Sequence, residues 1–478
     1  MITNIQNTPK PHKSINFGTN PQALVNGIDK ALKLPLLFVK SQENLSSTRF
    51  IQDTATNWFP KAIFTRSKAD FAEMSFLEFL ESAIFYFAPP ILGEKIARKH
   101  IFSKMAPKAL RSQINEQLPK RASEILKDTN LVSSGIAKRA IPLKAAIVLS
   151  CACIPAAEYA LSFAKNLFTL KVFKKSDFNN IANLNKEQDE NKTQQERVEK
   201  SAKKHLRNAG IFSAVALGAS LALGAVGHKY KPLQKVSEAI LEPGLTLAKG
   251  LKKFGIKSPK LNKFLETYVS SDFGSNNGKL ALSKGQLAIT TISGLFGYSS
   301  AAGDRGRLDK LEVWTRVPLV VLYTIFGSSA FDSAFKHILA AKNKFPDLIK
   351  KGADGVFKEI PSLKDLPQIA ETAAKTNKTT VQKEFNRLVK EKALVTAVPY
   401  AFSLVFMGFL LSGITRLWTQ YRYNQEVKNG KKQEKPKSNI QTDSRDIRAV
   451  FKNKLNTSNP ISKNPDWIRE AISKRPVA

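Results

Sequence analysis

Histidine and cysteine are scarce here: five and two residues in a chain of 478. His12, His100, His205, His228 and His337 show no metal-ligand spacing, so no imidazole-built metal centre is expected. Cys151 and Cys153 sit as CAC in an apolar run, too close together to staple distant segments, which excludes a disulfide framework. Catalytic motifs are missing as well. There is no G-x-S-x-G, and SNNGKLAL at 275–282 lacks the Walker-A spacing and the Ser/Thr after Lys279. SDFGS at 271–275 stands without the other kinase motifs. No catalytic residue, metal or cofactor is therefore expected, and the chain reads as non-enzymatic. The first twenty residues have no apolar core of signal-peptide type and neither terminus carries a lipidation box, so insertion into a membrane is expected to rest on internal segments.

Acidic residues are short relative to basic ones: 39 Asp and Glu against 75 Lys and Arg, a formal net charge of +36. Such an excess points to an anionic partner. No Arg-rich recognition helix, zinc finger or RNP motif is present, which sets nucleic acid aside and leaves anionic membrane lipids as the expected partner.

What the sequence does have is six apolar blocks, at 74–92, 145–164, 209–227, 285–302, about 313–335 and 393–415. A bilayer core of about 30 Å takes a helix of about 20 mostly apolar residues. The sixth block holds no charge between Lys392 and Arg416, and the third none between Asn208 and His228. Neither shows the polar stripe of a water-facing helix. The first, second and fifth carry Glu78, Glu81, Glu158 and Asp332. Between the blocks run long Lys-rich segments of amphipathic character. The expected fold is all-α: a multi-pass membrane protein with four to six transmembrane or re-entrant helices joined by basic amphipathic helices. Its expected divisions are a disordered tail at 1–23, an amphipathic segment at 24–73, a first membrane unit at 74–230, a basic surface segment at 231–284, a second membrane unit at 285–422 and a polar tail at 423–478. A soluble all-α protein with buried helices is the remaining reading.

If all six blocks span, the side bearing both termini carries 39 Lys and Arg and the other side 35. The positive-inside bias separates sides by larger margins than this, although long loops obey it weakly. The basic tail after Arg416 places the termini in the cytoplasm of an inner-membrane protein. Pro89-Pro90 and the GDRGR turn after the fourth block suit re-entrant hairpins as an alternative.

Ionisable residues in lipid line a pathway or find a partner. Glu78 and Glu81 are expected either to form a relay with Glu158 or Asp332 or to sit at headgroup level. Asp332 and Lys336 are spaced as an intrahelical pair. Small residues four apart, Gly210, Ala214, Gly218 and Ala222 in one block and Ser293, Gly297 and Ala301 in another, mark faces for close helix packing, within the chain, with a second copy or with other membrane proteins. Lys95, Arg98, Lys99, Lys174, Lys175, Lys336 and Arg416 are the candidate headgroup contacts. A weak internal similarity relates 76–205 to 313–435, each with an aromatic run, a Lys-His-Ile, a basic stretch and a second apolar block opening on Tyr159 or Tyr400. The leading functional expectation is a non-catalytic membrane scaffold that contacts anionic lipid. A transporter or channel using the intramembrane acids is the competing one.

Overall fold

Single polar residues start the longest helices. The Ser67 hydroxyl accepts from the Asp70 N–H, and the Asn191 side chain accepts from the N–H groups of Thr193 and Gln194, satisfying donors that a helix start leaves unpaired. The computed structural model describes residues 21–43, 45–184, 190–276, 278–349 and 360–433. They are nearly all helical, as the apolar and amphipathic periodicities predict. The one sheet among them is a short hairpin of β1 (Gly274–Asn276) and β2 (Lys279–Ala281).

The principal helices are α1 (Lys33–Glu43), α2 (Leu45–Ile63), α3 (Lys68–Ala88), α4 (Ile136–Ser150), α5 (Cys153–Phe173), α6 (Lys192–Val226), α7 (Lys231–Leu241), α8 (Pro243–Lys253), α9 (Pro259–Tyr268), α10 (Lys284–Gly303), α11 (Arg307–Leu322), α12 (Ser328–Ala341), α13 (Leu366–Asn377), α14 (Val381–Ser403) and α15 (Leu411–Gln433). Among the described residues five helical stretches are long and apolar enough to cross a membrane: Lys68–Met105, Ile136–Phe173, Lys192–Val226, Arg307–Ala341 and Val381–Asn429. The fourth block, α10, is not one of the five, yet it lies along α5 inside the same bundle.

Pro89-Pro90 does not break its helix, contrary to the hairpin expectation. The chain continues from α3 as a π-helical stretch, Pro89–Phe102. Prolines lack the N–H that an α-helix needs and crowd the preceding turn, and widening the turn accommodates both defects. The same device follows Pro318, at Tyr323–Gly327, and Pro399, at Leu404–Leu410. The second block does divide, at a turn over Cys151 and Ala152 between α4 and α5.

Side-chain pairings fix the direction of each pass. Trp58 bonds Ser75 and Phe50 meets Phe87, so α2 and α3 are antiparallel. Thr169 bonds Glu73, which sets α5 against α3. Ser293 bonds the Pro155 carbonyl and Asn166 the Ala301 carbonyl, so α5 and α10 are parallel. Tyr323 bonds Ser403, and Phe64 meets Phe409. The described residues thus run the length of the bundle seven times. The helix ends flanking the short connections, at 64–67, 174 and 191, and 304–306, gather at one end. Those flanking the long ones, after 102, 227 and 341, gather at the other.

These long segments are not loose surface helices. Ile114, Leu118, Ala122 and Ile125 join Phe102, Ala140–Val148, Leu241, Phe273 and Leu280 in one lobe core. Leu24, Ile28 and Leu36 join Leu348, Leu366, Ala370, Phe385 and Leu388 in a second. The extra pass is α2, whose polar sequence LSSTRFIQDTATNWFPKAI hid it among amphipathic segments. As a result Leu24 belongs to the lobe end and Tyr423 to the short-turn end, where it packs with Phe178 and Leu308. The expected tails are also trimmed, since Pro21–Asn26 is helical and α15 continues to Gln433. Residues 1–20 and 434–478 lie outside the described residues.

Candidate functional site

A column of charge runs down the interior from the short-turn end. In its outermost layer Arg66 and Arg416 face Asp70 and Glu312. Arg416 Nη1 lies 3.1 Å from Asp70 and 3.3 Å from Glu312, and Arg66 reaches Glu312 at 3.3 Å and Asp70 at 3.4 Å. The Arg66 guanidinium also stacks 5.2 Å over the Phe178 ring. In the next layer Arg305, 1% exposed, meets Glu73 at 2.8 Å and Asp309 at 3.3 Å, while Lys165 meets Glu73 at 3.0 Å. Asn166 accepts from Arg305 at 2.9 Å and Thr169 donates to Glu73 at 2.7 Å. Below it Lys61, from α2, is paired with Glu78 on α3.

Each of these layers balances its charges, two against two, two against two, one against one. Paired burial is the condition under which ions are tolerated away from water. The innermost layer does not balance in the same way. Glu81 and Glu158 both face the Tyr298 hydroxyl, at 3.2 and 3.4 Å, and Glu158 Oε2 has no hydrogen-bond partner among the described residues. Gly294 makes the room: a Cβ there would lie 2.8 Å from Glu158 Oε1. Glu81 lies about 16 Å along the helix axis from Asp70 at the usual rise per residue.

Glu78 and Glu158 are buried in the protein interior with Glu81 half-buried beside them, and the structure gathers the three into one column. Asp332 is not part of it; its carboxylate takes Lys336 at 2.5 Å on α12, far along the chain's fifth apolar stretch. Arg416 and Arg98 are not open to headgroups. Arg416 is in the outer layer, and Arg98 is paired with Glu94 and donates to the carbonyls of Asn115 and Gly278. Lys95, Lys99 and Lys174 are exposed, and Lys175 donates to the Asn180 carbonyl.

The two small-residue stripes part company. Ser293, Gly297 and Ala301 lie against α5, where a Cβ on Gly297 would stand 2.3 Å from the Tyr159 carbonyl oxygen. Gly210, Ala214, Gly218 and Ala222 face outward, with nothing near Gly210 or Gly218; α6 packs inward through Ala216, Ser220 and Gly224 instead. Around α6, α10 and α15 the outward surface is apolar, with Val215 66%, Phe296 61% and Ile414 59% exposed.

Sequence reasoning missed Lys61, Arg66, Lys165, Arg305 and Tyr298 in the column. Their signal was faint: a basic residue at each edge of an acidic apolar block. It also missed a polar knot in the first lobe. There Lys144, 1% exposed, pairs with Asp272 at 2.7 Å and donates to the Leu118 carbonyl, and Arg121 holds Glu242 at 3.0 Å. Burial, with Asp272 nearby and Arg121 opposing, pushes the Glu242 carboxyl up to about 7. The Asp272 carboxyl is also raised by burial, against the pull of Lys144. Among the described residues no group of three or more His, Cys, Asp and Glu could hold a metal ion. Comparison with protein-family models, with curated proteins and with solved structures finds no match to this chain.

Proposed function

We propose that this chain is an integral, non-catalytic scaffold of a cytoplasmic-type membrane, with its lobes on the cytoplasmic face. The observation that carries the reading is the inversion of polarity: ions lie paired inside the bundle while Val215, Phe296, Leu322, Leu410 and Ile414 stand outward. A protein in water rarely shows contiguous apolar surface on this scale. In lipid the same surface costs nothing, and the ionic column supplies the directional packing that apolar contacts lack there. A braced bundle with its folded mass at one end suits holding partners in place. Carbonate and detergent extraction tests it: the full chain should stay with membranes in carbonate and leave them in detergent. Release by carbonate refutes the membrane reading. Reporter fusions within 103–130 and 240–275 should both read cytoplasmic.

One observation favours a second reading, proton- or cation-coupled transport. A single tyrosine hydrogen cannot serve two carboxylates at once, and Glu158 Oε2 lacks a partner. A proton or small cation between Glu81 and Glu158 would complete the layer. Glu158→Gln, reconstituted in vesicles, separates the readings. Loss of a pH-driven flux supports transport, whereas absence of flux in the parent protein leaves the column a brace.

A further inference from the structure

The α8–α9 hairpin ends in an exposed tip that is both apolar and basic. Lys252, Lys253, Phe254, Gly255, Ile256 and Lys257 are exposed in succession, and Phe254 is 85% exposed. Gly255 takes φ +85°, a conformation that side chains resist, so the turn presents Phe254 and Ile256 on a tight bend. Ser258 then caps α9 by accepting from the Leu261 N–H. At the other end of the hairpin the two helices touch: a Cβ on Gly244 would meet the Leu265 carbonyl oxygen at 2.1 Å. The tip is thus carried on a fixed arm.

Its charge is one-signed. Residues 243–268 contain six lysines and one acid, Glu266. An apolar point ringed by lysine complements an anionic bilayer surface, where aromatic and aliphatic side chains enter the interfacial layer and lysines meet headgroup charge. An acidic protein partner would match the lysines but leave Phe254 unexplained. The hairpin is also continuous with the outward apolar belt of the bundle. Phe264 meets Tyr268 at 5.1 Å, and Tyr268 meets Phe326 of the Tyr323–Gly327 turn at 4.9 Å.

We propose that the Lys252–Lys257 tip docks on the anionic leaflet beside the bundle, with Phe254 and Ile256 inserted and Lys252, Lys253, Lys257 and Lys260 on the headgroups. The proposal rests on the membrane reading above. The test uses the full chain reconstituted in vesicles of phosphatidylcholine, with or without phosphatidylglycerol. An environment-sensitive fluorophore is attached in the Phe254→Cys variant and, as a bundle marker, in the Phe296→Cys variant. The labelled parent chain gives the background from Cys151 and Cys153. The expected result is a blue-shifted emission at the bundle position in both lipids and at the tip in anionic vesicles only. Lys253→Gln should lower the ratio of inserted to free tip about fivefold, the effect of about one headgroup-facing lysine. Raised salt should lower it further. A water-like signal at the tip in anionic vesicles, with the bundle marker still in lipid, overturns the proposal and leaves the tip a protein-facing surface. An equal shift in neutral vesicles overturns the anionic assignment. Water-like signals at both positions overturn the membrane reading and this proposal with it.

Discussion

Removing the Arg305 charge is the sharpest perturbation of the column. Arg305→Met keeps length and most apolar contact but takes a buried cation from Glu73 and Asp309. Glu73 keeps Lys165 at 3.0 Å and the Thr169 hydroxyl. Asp309, 5% exposed, loses its one direct ion pair among the described residues, with only the more distant Lys165 left to oppose its charge. Stranding one buried ion costs about 3–5 kcal/mol. At ~2 °C per kcal/mol for a large domain, the full-length protein in detergent should melt about 6–10 °C lower. The double variant Arg305→Met with Asp309→Leu removes the stranded charge as well, and should recover about half of that loss or more, because replacing a buried pair with apolar groups is close to neutral. The assay is thermal unfolding followed by near-ultraviolet circular dichroism. A single variant that melts with the parent protein would show that water reaches the column and that its ions are not braced against each other. A double variant worse than the single would show that Asp309 has another partner to lose.

The two small-residue stripes provide a paired test: Gly297→Val should cost about 1–3 kcal/mol by forcing α10 off the Tyr159 carbonyl, while Gly218→Val, open on all sides, should leave the melting temperature unchanged. Lys144→Met strands Asp272 in the first lobe and should cost about 3–5 kcal/mol, read as faster proteolysis within 103–135 and 228–283. Glu242 makes that lobe pH-sensitive. Its carboxyl lies at about 7 in the folded lobe against an ordinary 4.5, so the folded state holds a proton that the unfolded chain releases. The contribution is fully present below about pH 4.5 and lost as pH rises through about 7, worth up to about 3 kcal/mol. Melting temperature should fall progressively from about pH 4.5 to pH 7 and level off above it, and Glu242→Gln should flatten the profile.

Apolar periodicity carried most of the helices. Blocks without charge, such as 209–227 and 393–415, are legible because nothing charged interrupts a spacing that only a helix in an apolar setting tolerates. The lobes were not legible as folded cores, because residues such as Ile114, Ile125, Leu348 and Leu366 are spread singly through Lys-rich sequence and meet only in three dimensions. The column was half legible. Acids inside apolar blocks stand out, so Glu78, Glu81 and Glu158 were found. The column's cations were not found: Lys61 reaches Glu78 from a polar helix, Arg305 reaches Glu73 from a turn, and Arg416 reaches Asp70 and Glu312 from the far end. Partners separated by hundreds of residues leave no local spacing to read.

The same separation explains why charge counting failed to orient the chain. The positive-inside bias is a statement about cations that face the headgroups at the edge of a membrane. Lys61, Arg66, Lys165, Arg305 and Arg416 were all counted on the side of the short turns, yet each is spent on a carboxylate inside the bundle. Moreover, α2 sets Lys30, Lys33 and Lys40 at the opposite end, where Leu24, Ile28 and Leu36 are built into the second lobe. The lobe side is reduced in the same way, by Arg98 on Glu94 and Arg121 on Glu242, so it is the α2 pass that moves positive charge toward the lobes. The raw counts thus mixed buried counter-ions with surface charge and took a polar pass for a loop. The α8–α9 tip stands at the lobe end, which is the end proposed to face the cytoplasm.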